Sequence, residues 1–221
     1  MTDAILYAYL DPGPDRAADF YAWYERVIVP GRMAVPGFRR ARRFQRRDRP
    51  SAGVMIYDVD DLDVLGSDAY GEVQAVTAEV TGERMGALER FDRVTARVVQ
   101  SQGIVGDGAH VFVVAFPVPE EEAADLERWY AEEHGPMLLR ASGWDGLRLF
   151  AVEDTNTEMT RIAVHELSDL AALDSPERAE AGGTTWRRSL ADRRWFAANE
   201  RFICDAVPNF AEPQAEARWP T

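Results

Sequence analysis

The chain has 221 residues, of which 46% are apolar and 29% charged, the make-up of a protein with a sizeable core rather than of a disordered one. Its formal net charge of −13 repels phosphate backbones and anionic membrane surfaces, and no run of about 18 apolar residues spans a bilayer, so neither nucleic acid nor membrane is an expected partner. The single cysteine, Cys204, excludes an intrachain disulfide and a thiolate zinc cluster, and no signal-like leader opens the sequence, so a cytosolic protein is expected.

In chain order, the apolar run over 4–10 reads as a strand closed by a Pro-containing turn. A helix over 15–34 follows, with Phe20, Trp23, Tyr24, Val27 and Ile28 spaced along one face. Strands over 39–46 and 53–59, a helical stretch over 61–91 and a strand over 94–100 complete a first series. Residues 101–109 contain three glycines and no periodicity, and read as a linker. The series then recurs as a strand over 110–116, a helix over 120–141 and strands over 145–152 and 160–167. A helical stretch over 169–199, broken at Gly182-Gly183, leads to a last strand over 201–207. A surface tail over 211–221 is expected to end the chain.

The recurrence extends to individual residues. Trp23-Tyr24 returns as Trp129-Tyr130, and the same offset of 106 carries Pro30 onto Pro136, Gly37 onto Gly143, Arg42 onto Arg148 and Phe44 onto Phe150. Six identities over positions 23–44 exceed the one or two expected at roughly ordinary composition. Further on, Tyr57-Asp58-Val59-Asp60-Asp61-Leu62 matches His165-Glu166-Leu167-Ser168-Asp169-Leu170 at an offset of 108, a two-residue change that a loop absorbs. The expected fold class is α+β, as two tandem ferredoxin-like βαββαβ repeats over 1–105 and 109–210.

The stretch Trp129-Tyr130-Ala131-Glu132-Glu133-His134-Gly135-Pro136, with Gly143-Trp144 and Arg148-Leu149-Phe150, resembles the dimeric α+β barrel superfamily, EthD-like proteins in particular. The first copy departs from the motif at Ile28, which stands where its histidine belongs. The resemblance implies that the two repeats form an intramolecular dimeric α+β barrel around a small-molecule cleft, with the chain a monomer or a homodimer. Its members include cofactor-free monooxygenases, lyases, dehydratases, cyclases, haem enzymes and proteins without established activity, so the fold alone does not name a reaction.

Candidate chemistry centres on few residues. His134 replaces Ile28 on a buried helical face, and His165 replaces Tyr57 on a central strand, so both are candidate proton-transfer groups, as are Tyr57 and Tyr7. A helix-terminal histidine bonded to carbonyls, and a cross-strand polar pair, are the structural alternatives. Tyr7, Tyr9 and Tyr57 are expected on one face of adjacent strands. Tyr9, Arg148, Trp129 and Trp195 are candidate substrate contacts, with an internal ion pair as the other reading of Arg42 and Arg148, and core packing as that of Trp195, Trp186 and Phe196. His110 is expected at the surface and Cys204 in the core. The seven arginines among residues 39–49 read as a solvated edge strand.

No metal-ligand spacing, nucleotide loop or serine elbow occurs, so no metal or cofactor is expected, although a haem needs only one axial histidine. The barrel resemblance, together with the clustered Tyr and His residues and the absence of cofactor motifs, implies a cofactor-independent enzyme performing general acid-base catalysis on a small aromatic molecule, in lyase, dehydratase or cyclase chemistry. The alternatives are a non-catalytic ligand-binding or stress-related barrel, and a cofactor-free or haem-dependent oxygenase.

Overall fold

The computed structural model describes residues 4–207 and 210; the tail expected over 211–221 lies outside the described residues. The chain forms two compact units, unit 1 running up to Arg97 and joined by Val207 and Phe210, and unit 2 comprising Val98–Ala206.

Unit 1 contains β1 (Ala4–Asp11), α1 (Ala17–Met33), β2 (Phe38–Arg46), β3 (Gly53–Val59), a 3-10 turn (Leu62–Gly66), α2 (Asp68–Gly86) and the first part of β4 (Arg90–Gly103). Its sheet is antiparallel in the order β4-β1-β3-β2, the ferredoxin-like arrangement. Every residue of β1 and β3 is buried, as the unbroken apolar runs of central strands require. The apolar face of α1 packs Phe20, Tyr24 and Ile28 against Leu6, Ala8, Met55 and Tyr57.

This register corrects one expectation. Cross-strand partners in an antiparallel pair point to the same side, and Tyr57 is opposite Leu6, whereas Tyr7 and Tyr9 are opposite Ile56 and Val54. Tyr57 therefore lies on the helix-packed face, and Tyr7 and Tyr9 on the other. Apolar runs without alternation carry no sign of which residue faces which side.

Unit 2 contains the end of β4, β5 (His110–Phe116), α3 (Glu120–Trp129), a π turn (Tyr130–His134), α4 (Gly135–Leu138), β6 (Trp144–Thr155) and β7 (Arg161–Leu167). A 3-10 turn (Leu170–Asp174), α5 (Pro176–Gly182), α6 (Thr185–Ala191), α7 (Arg194–Ala197) and β8 (Glu200–Ala206) follow. Its antiparallel sheet has the order β8-β5-β7-β6, the same arrangement as unit 1.

The units share local devices as well as topology. Asp61 and Asp169 each accept a backbone N–H at the start of the 3-10 turn, and Ser67 and Ser175 each cap the following helix. Gly37 and Gly143 precede β2 and β6 at φ +99° and +85°, a backbone that disfavours any side chain. Both following strands then shift register, between Phe38 and Arg40 and between Trp144 and Gly146.

Other expectations are revised. The stretch 61–91 ends as a helix at Gly86, and Arg90 already belongs to β4, because Glu89 N donates to Asp11 O at 2.7 Å and turns the chain onto the sheet. Residues 101–109 are not all linker: β4 continues to Gly103, Ile104 N donates to Asp145 O at 2.8 Å, and the Glu166 carboxylate accepts from Gly106 N and Gly108 N. The expected break at Gly182-Gly183 is present, and a second follows α6, so the stretch 169–199 becomes three short helices. The arginines of 39–49 are not simply solvated, since Arg39 pairs with Asp60, Arg42 with Asp58, Arg43 with Glu25 and Arg49 with Asp11. His110 is half-buried and its Nδ1 lies 2.6 Å from Asp205 Oδ1. No helix among the described residues is long and apolar enough to cross a membrane.

Candidate active site

A cavity of about 390 Å³ in unit 2 lies between the helix-packed face of β5 and β7 and the helical segments on either side of the π turn. Its walls are aromatic, with Phe112 and Phe116 from β5, Trp129 and Tyr130 from the first helix, Trp144 from β6 and Phe196 from α7. Arg178, Arg187 and Asn199 add polar groups. The size suits a small organic molecule.

His165 reaches the cavity because β7 turns it to the same side as its cross-strand partners Phe112 and Leu147. It is 1% exposed, stacks on Phe112 with centroids 5.6 Å apart, and meets the Trp144 ring edge-on at 5.3 Å. Its Nε2 lies 3.5 Å from Tyr130 Oη, and its Nδ1 has no hydrogen-bond partner among the described residues.

His134 ends the π turn. Within this turn Gly135 N donates to Tyr130 O, five residues back, and Gln102 Nε2 donates to the same carbonyl at 3.1 Å. A side chain at position 135 would put a Cβ 2.6 Å from Gln102 Oε1, so glycine permits this close approach. The wider turn stacks the His134 ring on Trp129 at 4.0 Å and brings it edge-on to His165, with centroids 6.4 Å apart. Trp129 is itself anchored, its Nε1 donating to Glu133 Oε1 at 3.1 Å, and Glu133 also accepts from Thr184 Oγ1 at 2.6 Å. The His134 Nδ1, like that of His165, is buried without a partner among the described residues.

Burial dominates the electrostatics. It pushes His134 well below the ordinary histidine value, with His165, Arg187 and Arg178 adding repulsion. Burial, then Arg178, lowers His165 to about 3, and burial raises the Tyr130 phenol far above its usual 10.0. All three groups are therefore neutral at pH 7, and each imidazole offers one donor and one acceptor nitrogen.

Of the expected site residues, the structure brings His134, His165 and Trp129 together around this cavity. Trp195 does not line it; its Nε1 donates to Glu122 at 2.8 Å and its ring packs against Phe116, while the next residue, Phe196, forms the wall. Arg148 shares its side of the sheet with Val164 and pairs with Glu166 at 3.6 Å, away from the lining. Tyr57 belongs to unit 1, where its Oη lies 3.4 Å from Tyr24 Oη, the repeat equivalent of the Tyr130–His165 pair. Tyr9 is held by Arg46 at 3.0 Å and Tyr7 is buried on the same face; neither lines the cavity. Phe112, Arg178 and Arg187 join the site without having been singled out from the sequence, and Trp144, quoted there only as part of the Gly143-Trp144 motif, joins it as a wall. Among the described residues, no group of three or more His, Cys, Asp or Glu side chains is placed to hold a metal ion.

No family model matches the chain, and no curated protein matches it significantly. Solved structures do. An anthrone oxidase-like protein superposes with a TM-score of 0.68 at 12% identity, covering 99% of this chain and 98% of that one. A monooxygenase-like protein from Listeria innocua gives 0.53 at 10% identity over 94% and 95% of the two chains. The heme-degrading enzyme LmHde from Listeria monocytogenes gives 0.50 at 9% identity over 91% and 98%. With the sheet orders above, these likenesses show the fold class, α+β of the dimeric α+β barrel type.

Proposed function

We propose that the unit 2 cavity is the working site of a small-molecule enzyme that uses no cofactor and acts by proton transfer on a flat, hydroxylated aromatic substrate. The observation that carries this reading is the convergence of two neutral imidazoles and one phenol on a single aromatic-walled cavity. A neutral imidazole there can accept a proton from a phenol or from a carbon acid flanked by a carbonyl. The imidazolium so formed is costly alone in a buried site, but it arises beside the oxyanion it creates, so the ion pair is stabilised as the transition state develops. Tyr130 Oη can donate to that oxyanion, and the imidazolium so formed can return the same proton elsewhere on the substrate, regenerating the neutral base. Elimination or ring closure would follow in lyase, dehydratase or cyclase chemistry.

A second reading shares the first step. The structural neighbours described as anthrone oxidase-like and monooxygenase-like favour capture of the deprotonated substrate by dioxygen, that is, a cofactor-free oxygenase. The motif around Trp129 and His134 supports an EthD-like affiliation, and the shared caps, glycines and register shifts support descent by tandem duplication of one repeat, with copies over 1–105 and 109–210.

The test is turnover of hydroxylated aromatic compounds by wild type and by His134→Gln and His165→Gln. Each variant should lose about 10²-fold or more of turnover. Ile28→Val, at the repeat equivalent of His134, should leave it unchanged. Full turnover in both histidine variants would remove the proton-transfer assignment. A Soret or flavin band in the purified protein would move the reading to a cofactor-dependent oxygenase.

A further inference from the structure

Unit 1 has its own cavity, about 220 Å³, between α1 and α2, and its chemistry differs from that of unit 2. Arg32, in the last turn of α1, lines it. Its Nη1 donates to Tyr24 Oη at 2.8 Å, and its guanidinium lies 4.9 Å from the centroid of the Tyr57 ring. Among the described residues no carboxylate pairs with it, whereas Arg39, Arg42, Arg43, Arg46 and Arg49 of the same unit each have an acidic partner.

A guanidinium is always charged, and a part-buried one without a counter-ion is unfavourable unless an anion completes it. A second, independent feature points the same way. Tyr70, in the first turn of α2, is 1% exposed and lines the same cavity, yet its Oη has no hydrogen-bond partner among the described residues. A buried hydroxyl left unpaired is costly, and here it stands ready to donate. Ile28, Val73 and Met85 supply apolar walls, and the Tyr70 ring stacks on Phe38 at 5.6 Å.

We propose that the unit 1 cavity binds a small aromatic carboxylate, its carboxylate on Arg32 and the Tyr70 hydroxyl and its ring against the apolar walls. The planar guanidinium fork matches a carboxylate in geometry and charge, and the apolar walls distinguish an organic acid from an inorganic anion. This inference does not depend on the reading of the unit 2 cavity.

Two measurements test it together. Co-crystals with 4-bromobenzoate, read by anomalous scattering from bromine, should show the ligand between α1 and α2 beside Arg32. Calorimetric titration with benzoate at constant ionic strength should give binding that Arg32→Met weakens by about 10-fold or more and Tyr70→Phe by about 3- to 10-fold. Tyr70→Phe should not lower the thermal stability of the free protein, because the hydroxyl removed has no hydrogen-bond partner among the described residues, and it carries the test should Arg32→Met fail to fold. Equal affinities for wild type and Tyr70→Phe, or bromine located elsewhere, would overturn the proposal. Inorganic phosphate displacing benzoate at equal concentration would overturn the aromatic specificity.

Discussion

Lowering the pH from about 7.5 to about 5 should cost this protein stability through its two buried histidines, by an amount that the site geometry sets. His165 has an ordinary value of 6.5 when unfolded and about 3 in the fold, with burial the first cause. The unfolded state thus binds the extra proton between those limits: stability is full above 6.5 and drains as the pH falls towards 3. The loss is about 1.4 kcal/mol per pH unit for each histidine, so at about pH 5 His165 alone accounts for about 2 kcal/mol. His134 is lowered in the same direction and adds to it. Asp11, Asp48, Asp60 and Asp61 are lowered in the fold from an ordinary 3.8, so their contributions are lost mainly at more acid pH. Urea unfolding of wild type and His165→Gln at both pH values reads the effect, since titrations remote from the histidine pair cancel in the difference and only that of His134, which His165 perturbs less than burial does, changes with it. The variant should show a shallower acid loss by about 2 kcal/mol. Parallel losses in the two proteins would mean that His165 is hydrated or charged in the fold, and the neutral-base reading would go with it.

Two further substitutions test the scaffold. Gly143→Ala should lower stability by about 1–3 kcal/mol in chemical denaturation, because φ is +85° there and a Cβ would come within 2.8 Å of Asp169 Cβ. Glu166→Gln should cost about 3 kcal/mol or more by the same assay, since it leaves the buried Arg148 guanidinium facing an amide and weakens the anchor for Gly106 N and Gly108 N.

The repeat made much of the architecture legible. Offsets of 106 and 108 tied the first three strands of one copy to those of the other, the recurring element order supplied the fourth, and the pairing of Ile28 with His134 and of Tyr57 with His165 marked the positions where the second copy carries imidazoles. Facing direction was not legible. In β1 and β3 every residue is buried, so no polar alternation distinguishes the side of Tyr57 from that of Tyr7 and Tyr9; only the turn-determined register does. The arginine run misled for a related reason, because most of its acidic partners lie far off in sequence, such as Asp11 for Arg49 and Asp58 for Arg42. The π turn also escaped notice: helical periodicity over 120–141 is satisfied by either hydrogen-bond pattern, and the copies have equal length across it.

The helical stretches place the cationic groups of the two cavities differently. The offset of 106 carries Arg32 onto Leu138, and that of 108 carries Tyr70 onto Arg178, so the guanidinium sits on the first helix in unit 1 and on the second in unit 2. Arg178 is exposed, and water screens most of its field before it reaches the imidazoles. Burial, the larger cause for both histidines, should then persist when the arginine is removed. In Arg178→Ala, the His165 pKa should rise, since a repelling cation is gone, yet remain well below 6.5. Titration of the His165 imidazole nitrogens by ¹⁵N NMR, in wild type and variant, reads this directly. A return of His165 to about 6.5 would make charge repulsion the principal cause of its neutrality. The two histidines would then be a solvent-connected pair tuned by Arg178, and substrates carrying an anionic group, which neutralise that arginine on binding, would raise the basicity of the site as they enter.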